Sequence, residues 1–173
     1  MKTFIFLLAV IFPLVSFSSV DLCREFNSLD STQHYVLRKA YDYGTNHDLG
    51  YTMASIAMVE SNAGKYLVNA STQDFGVFHI NLKYAALRDE VYTEFGRNVL
   101  AQELIFNIDL NARHALDTLL YFQDYHKGDW RKTVASYNAG FDHHKGRGYM
   151  LKVVKWIKVL QVCIDYEQGY GGG

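Results

Sequence analysis

The feature that most constrains the fold of this 173-residue chain is the helical spacing of its apolar residues. In the second half of the sequence they recur at intervals of three and four, which places them on one face of a helix. A first stripe ends near Gly128 and a second follows it: Ile108, Ala112, Ala115, Leu119 and Phe122, then Met150, Val153, Val154, Ile157, Leu160 and Ile164. The pattern predicts two long core helices in a mainly α-helical domain.

Two shorter helices are predicted in the first half. Asp30 is expected to cap a helix through Tyr35, Leu37 and Ala40 that ends at Gly44, a residue common at helix C-termini. Asp48 is expected to cap the next helix. Its shared face carries Met53, Ile56, Ala57 and Glu60. Glu60 is therefore predicted on an apolar helical face.

The segment 62–81 separates these helices from the long stripes and is rich in Asn, Ser, Thr and Gly. It contains a short β-prone run at 75–80. We expect a loop or small hairpin that carries function, since binding residues are frequent on such segments.

The N-terminus has the pattern of a signal peptide over residues 1–18. Lys2 precedes an apolar run at 4–15, and small residues follow at Ser16, Ser18 and Ser19. An uncleaved anchor is the alternative, but the run is short for a bilayer core of about 30 Å. The residues before Cys23 do not form a convincing lipoprotein site. We therefore expect a periplasmic or secreted protein without stable membrane insertion.

The remaining chain is predicted to form one domain, 19–168, followed by a flexible Gly-rich tail at 169–173. A hydrophobic content of 49% and a charged content of 20% are those of an ordinary globular protein. With 17 basic and 18 acidic residues, the net charge of −1 gives no reason to expect nucleic acid as a partner.

Cys23 and Cys163 stand near opposite ends of this domain. An oxidising compartment would allow them to form a disulfide, whereas the alternative is two separate buried thiols.

Glu60 is the main candidate for catalysis. Burial, weak solvation and the negative end of the helix dipole all disfavour a charged carboxylate at the end of an apolar helical face. A glycosidase acid must hold its proton in this way until it protonates the leaving oxygen. A half-exposed surface glutamate is the alternative that position alone favours.

The sequence around Glu60 favours a catalytic acid over a surface glutamate, because three segments in order resemble the motifs of lytic transglycosylases. They are IAMVES at 56–61, DFGVFHIN at 74–81 and ASYNAG at 135–140. The resemblance extends from about Asp48 to Leu160 and is closest to the small branch that serves secretion, pilus and conjugation machines. It implies a lysozyme-like α+β fold with a small β-hairpin and a substrate cleft.

The resemblance also implies the reaction, which is cleavage of the MurNAc-β-1,4-GlcNAc bond of peptidoglycan with a 1,6-anhydromuramyl end and no cofactor. Glu60 would act as both acid and base. The residues implied to bind sugar or position the site are Ser61, Asp74, Gly76, His79, Tyr137, Asn138 and Tyr149. Of these, Gly76 would permit close backbone approach to the sugar and Asn138 would be a turn residue.

His79 departs from the family pattern, which has Gln at this position. A neutral imidazole can donate and accept one hydrogen bond each, but it titrates near pH 6.5. Asp74 keeps a hydrolytic muramidase open as an alternative, with this residue as second carboxylate. A non-catalytic glycan-binding assembly component is the other alternative.

No metal site is predicted from the seven histidines. The adjacent His143 and His144 are expected to point apart, and no pair stands at ligand spacing beside a carboxylate cluster. The partner indicated is a peptidoglycan strand, together with an envelope machine of the kind named above.

Overall fold

The computed structural model describes the backbone of residues 19–170 and the side chains of residues 23–163. This part contains eight helices and a small antiparallel sheet of strand order β1-β2-β3. The elements are α1 (Ser19–Asn27), α2 (Ser31–Thr45), α3 (Gly50–Ser61), β1 (Val68–Asn69), β2 (Asp74–Phe75), β3 (Ile80–Asn81), α4 (Leu82–Arg88), α5 (Glu94–Phe106), α6 (Ile108–Tyr125), α7 (Trp130–Ala139) and α8 (Arg147–Tyr170). The predicted mainly α fold with a small hairpin region is confirmed.

Helix α3 lies at the centre of the core. It packs against α2 on one side and α8 on another. Met53, Ala54, Ile56 and Ala57 have no exposed surface. Because α3 is enclosed by its neighbours, Glu60 is the only charged residue that its twelve positions carry.

The predicted cap of α2 is present. The Asp30 carboxylate accepts from the Gln33 N–H at 2.9 Å, and the Asp30 N–H donates to Gln33 Oε1 at 3.0 Å, so two orphan donors of the first turn are satisfied. The predicted end at Gly44 is wrong, since α2 continues to Thr45. Gly44 is instead needed because the backbone at Leu49 lies close to it. A β-carbon at position 44 would lie 2.6 Å from the Leu49 carbonyl oxygen.

The predicted cap of α3 is wrong. Leu49 occupies the cap position and makes no side-chain bond to the helix, while Asp48 lies one residue earlier with a φ of 57°. A side-chain cap requires the half-in position directly before the helix, and Asp48 does not hold it.

The small hairpin predicted within 62–81 is present, and the β-prone run 75–80 spans its second turn. Phe75 ends β2, Ile80 begins β3, and the four residues between them form a turn. Phe75 pairs with Ile80 across this turn.

Both predicted long helices are present as α6 and α8. Helix α6 begins at the Asn107 cap, whose side chain accepts from the Leu110 N–H at 3.0 Å. Helix α8 runs to Tyr170, so the first two residues of the predicted tail are helical, while 171–173 lie outside the described residues. The predicted signal peptide, 1–18, also lies outside them.

A disulfide joins Cys23 of α1 to Cys163 of α8, with Cα atoms 5.7 Å apart. It fastens the first described helix to the last, which packs along α3. Among residues 19–170, no helix has the length and apolar character needed to cross a membrane.

Candidate active site

Glu60 lies in the last turn of α3, where its side chain is 16% exposed. Asn62 ends the helix in the left-handed conformation, with φ of 52°. Gln33 supports this end from α2, because its Nε2 donates to the Asn62 carbonyl at 2.9 Å. The carboxyl group is thus fixed on a rigid helix terminus, as predicted from the apolar face.

Ser61 follows Glu60 but points away from the solvent. It is fully buried, its Oγ donates to the Val77 carbonyl at 2.7 Å, and it accepts from the Gly64 N–H at 2.8 Å. It therefore ties the end of α3 to the turn between β2 and β3. A buried hydroxyl with these partners does not contact a sugar, so its part in the site is to hold the Glu60 backbone.

Gly76 does not face the cleft, so the predicted backbone approach to the sugar is wrong. It has φ of 81°, and a β-carbon there would lie 2.1 Å from the Leu104 carbonyl oxygen and 2.2 Å from Asn111 Nδ2. The close approach is to the protein interior, between the hairpin and helices α5 and α6.

Asn111 is a site residue that the motif comparison missed. Its side chain is fully buried, its Nδ2 donates to the Phe75 carbonyl at 2.8 Å, and its Oδ1 accepts from the Phe78 N–H at 2.8 Å. It thereby fixes both ends of the turn that carries His79. The available signal was a polar residue one position before Ala112 on the apolar stripe of α6.

His79 stands in this turn and faces Glu60. Its Nε2 lies 2.8 Å from the Tyr66 carbonyl, to which it donates, and its Nδ1 lies 3.6 Å from Glu60 Oε2. Contact with the Glu60 carboxylate, ahead of any other cause, raises the pKa of His79 above its ordinary value, while burial opposes that rise. The structure thus places His79 beside Glu60.

Two tyrosines flank Glu60 from α7 and α8. Tyr137 donates from its hydroxyl to the Phe78 carbonyl at 2.9 Å, and its ring stacks on that of Tyr149 at 6.3 Å. Burial, followed by the charge of Glu60, raises the pKa of both hydroxyls well above its ordinary value. Both therefore stay neutral donors at physiological pH.

The hydroxyl of Tyr149 is buried and has no hydrogen-bond partner within the part of the chain that the structure describes. The influence of Glu60 on its pKa places the two groups near each other. A buried donor without a partner costs free energy, about 1–3 kcal/mol, unless a nearby group uses it. The buried O–H of Tyr149 is thus available to the carboxyl group of Glu60, which, in addition to burial, raises the pKa of this hydroxyl by its charge and by hydrogen bonding.

Asp74 and Asn138 both line the cleft. The Asp74 carboxylate is held in the hairpin, since Oδ2 accepts from Thr72 Oγ1 at 2.5 Å and Oδ1 accepts from Asn81 Nδ2 at 2.8 Å. Asn138 is exposed in the last turn of α7, so its interpretation as a turn residue is wrong.

The cleft has a volume of about 900 Å³. Besides Glu60, Asp74 and His79, its lining includes aromatic and hydroxyl groups and an arginine, among them Tyr84, Arg88, Thr118, Tyr121, Tyr137 and Phe141. Aromatic faces with a few fixed polar groups are the lining expected for an amphipathic ligand such as a sugar.

Arg88 is held in place by α6. It donates to the His114 carbonyl at 3.0 Å and to Thr118 Oγ1 at 3.2 Å. His114 in turn donates from Nε2 to Asp89 at 2.9 Å, and burial lowers the pKa of this histidine. Sequence reasoning did not single out this cluster.

Within residues 19–170, no group of three or more His, Cys, Asp or Glu side chains is placed to hold a metal ion. The expectation that His143 and His144 point apart is wrong, because their ring centroids lie 4.1 Å from each other.

A carboxyl group at a buried helix terminus, facing a short sheet across a cleft, is the arrangement of a lysozyme-like domain. The transglycosylase SLT domain model matches residues 35–148, and the chain belongs to this family. The predicted relationship to lytic transglycosylases is thereby confirmed.

A similar relative is an uncharacterized 20.7 kDa protein in the vs-regB intergenic region of Enterobacteria phage T4. It is 32% identical over 117 residues, which span 65% of this chain and 63% of the relative's length. No solved structure matches the chain.

Proposed function

We propose that this protein is a peptidoglycan lytic transglycosylase that cleaves the MurNAc-β-1,4-GlcNAc bond and leaves a 1,6-anhydromuramyl end. The observation that carries the proposal is the position of Glu60, a half-buried carboxyl group on a rigid helix terminus in the cleft of a family domain. The substrate is the glycan strand of the cell wall.

The reaction needs one carboxyl group that first gives and then takes a proton. Glu60 protonates the glycosidic oxygen as the C1–O4 bond breaks, and the bonding electron pair leaves with that oxygen. The neighbouring N-acetyl group stabilises the oxocarbenium-like centre, as in substrate-assisted glycosidases. The muramyl 6-hydroxyl then attacks C1, and the Glu60 carboxylate removes its proton, which restores the enzyme.

The groups around Glu60 fit this cycle. Tyr149 can donate its unused hydroxyl to the carboxylate that forms after the first proton transfer. The hydrogen bond from Tyr137 to the Phe78 carbonyl ties α7 to the turn that carries His79. Both hydroxyls remain protonated throughout, because burial and the charge of Glu60 raise their pKa.

Hydrolysis is the second candidate, favoured by the presence of Asp74 in the same cleft. A retaining muramidase would use such a carboxylate as nucleophile or electrostatic stabiliser. Each Asp74 oxygen already accepts a hydrogen bond from within the hairpin, from Thr72 or Asn81. These bonds lower its nucleophilicity, so a stabilising role is the stronger form of this alternative.

The predicted setting is the periplasm or the outside of the cell, where the protein would remodel the wall locally. The bond between Cys23 and Cys163 supports an oxidising compartment. Service to a secretion, pilus or conjugation machine stays a prediction from the sequence resemblance.

Mass spectrometry of purified peptidoglycan after digestion tests the proposal. We expect muropeptides with anhydromuramyl ends, one water lighter than their reducing counterparts. Reducing ends as the main product would replace the proposal by hydrolysis, and no new ends would replace it by glycan binding alone. Glu60→Gln protein is the matched control for contaminating enzymes.

A further inference from the structure

We propose that Glu60 and His79 share a single proton, and that His79 thereby sets the acid limit of the cleavage reaction. The inference rests on the proposed function in so far as Glu60 is the acid. It gives His79 a positioning role that acts through Glu60 rather than through contact with the sugar.

The orientation of the imidazole is fixed by its partners. A carbonyl oxygen only accepts, so Nε2 of His79 carries the hydrogen that is donated to Tyr66. In the neutral ring, Nδ1 is then an acceptor, and it is this atom that lies 3.6 Å from Glu60 Oε2. One proton can therefore stand on Glu60 beside a neutral ring, or on Nδ1 beside a carboxylate.

The backbone supports this specific placement. His79 has φ of 46°, in the left-handed region that a residue with a β-carbon rarely adopts. The turn is nevertheless held at both ends, because Asn111 binds Phe78 and Phe75. The ring is thus directed towards Glu60 by structure that does not depend on the charge of either group.

The other groups near the pair are a carboxylate, two tyrosines and an arginine. The carboxylate of Asp74, on β2, adds to the effect of Glu60 in favouring the protonated ring, whereas burial disfavours it. The tyrosines that face Glu60 from α7 and α8 stay neutral, and Arg88 of α4 acts on Tyr137 more weakly than Glu60 does. The balance leaves the pKa of His79 raised.

The consequence for activity follows from where the proton stands. Below the raised pKa of His79, the shared proton resides mainly on the ring, so only the small and constant fraction of molecules that hold it on Glu60 can protonate the leaving oxygen. Above that pKa, the ring is neutral and the fraction of protonated Glu60 is the same as it would be beside an uncharged amide. The wild-type rate therefore levels off towards acid, whereas the rate of His79→Gln continues to rise.

The first experiment is a ¹⁵N NMR titration of the protein labelled with ¹⁵N-histidine, compared with Glu60→Gln. We expect the neutral ring of His79 to be the Nε2–H tautomer, and its midpoint to fall by about one pH unit or more when the carboxylate becomes an amide. The exposed His47 serves as an internal control and should not change. An Nδ1–H tautomer, or the same midpoint in both proteins, would overturn the proposal.

The second experiment compares the pH profiles of kcat/KM for wild type and His79→Gln. Each profile is normalised to its own value at pH 8, and we expect the ratio of variant to wild type to grow by about tenfold for each pH unit below the pKa of His79. Parallel profiles would overturn the proposal. His79→Asn, a residue that tolerates positive φ, repeats the comparison if the glutamine variant is unfolded.

The two experiments separate this proposal from the proposed function. An enzyme without wall-cleaving activity would refute the function, and the NMR titration would still decide whether the two side chains share a proton.

Discussion

The side-chain amide of Asn111 lies so close to Gly76 that a β-carbon at position 76 would come within 2.2 Å of its Nδ2 atom. The same amide binds the carbonyl of Phe75 and the N–H of Phe78. The hairpin and α6 therefore fit together through one buried amide, and the turn that carries His79 depends on it.

Asn111→Ala should lower the free energy of unfolding by about 2–4 kcal/mol, since it leaves a buried N–H and a buried carbonyl without their partner. Chemical denaturation measures this loss. Asn138→Ala, at an exposed position, is the matched control and should cost far less. A similar loss in the two variants would show that the amide of Asn111 does not hold the turn.

Glu60→Gln should abolish wall cleavage, because the amide keeps the shape of the side chain but has no proton to donate. Release of soluble muropeptides from purified wall measures the activity, and thermal unfolding checks that the fold is intact. Activity within about tenfold of wild type in a folded variant would remove Glu60 as the acid.

Asp74→Asn should reduce activity only modestly if the N-acetyl group of the substrate stabilises the cationic centre. The amide keeps one acceptor for Asn81 or Thr72, so the hairpin is disturbed little. Initial rates on purified glycan strands measure the effect. A loss of about a hundredfold or more would indicate a second catalytic carboxylate.

Tyr149→Phe should lower kcat while it leaves stability unchanged or slightly improved, because the hydroxyl has no protein partner to lose. Tyr137→Phe is the informative contrast. It removes the donor to the Phe78 carbonyl and should cost about 1 kcal/mol of unfolding free energy. Unchanged kcat in Tyr149→Phe would mean that its hydroxyl does not act on Glu60.

Replacement of both Cys23 and Cys163 by serine should lower the unfolding free energy by about 2–5 kcal/mol, since the cross-link restrains the unfolded chain over a separation of 140 residues. Protein recovered from an oxidising compartment should take up no alkylating reagent until it is reduced. Two reactive thiols before reduction would contradict the bond.

The sequence predicted the helices whose apolar residues repeat over many turns, such as α6 and α8, because burial of a long stripe outweighs local detail. The prediction was wrong where the first residue of a helix depends on the backbone conformation of the residues before it. Asp48 has the chemistry of a cap, but its φ of 57° and the position of Leu49 remove it from that role. The side chain alone does not determine which residue begins a helix.

The site was predicted in the same uneven way. The position of Glu60 in the cleft could be predicted, because an acidic residue on an apolar helical face stands within a family motif. The direction in which Ser61 points, and the partner of Gly76, could not be read from the chain, because both depend on a turn that folds against a distant helix. Asn111 shows the same limit, since its partners lie 33 and 36 residues earlier.

The bond between Cys23 and Cys163 also decides what a protease can do to this molecule. A single cut in any surface loop between these two residues leaves two pieces that are still covalently joined. Such a nicked molecule keeps its fragments at high effective concentration, so the packed core can hold them in register. On a denaturing gel the cut would be visible only after reduction of the disulfide. An enzyme exposed to proteases would therefore keep both fragments after a cut that separates them in a chain without the disulfide.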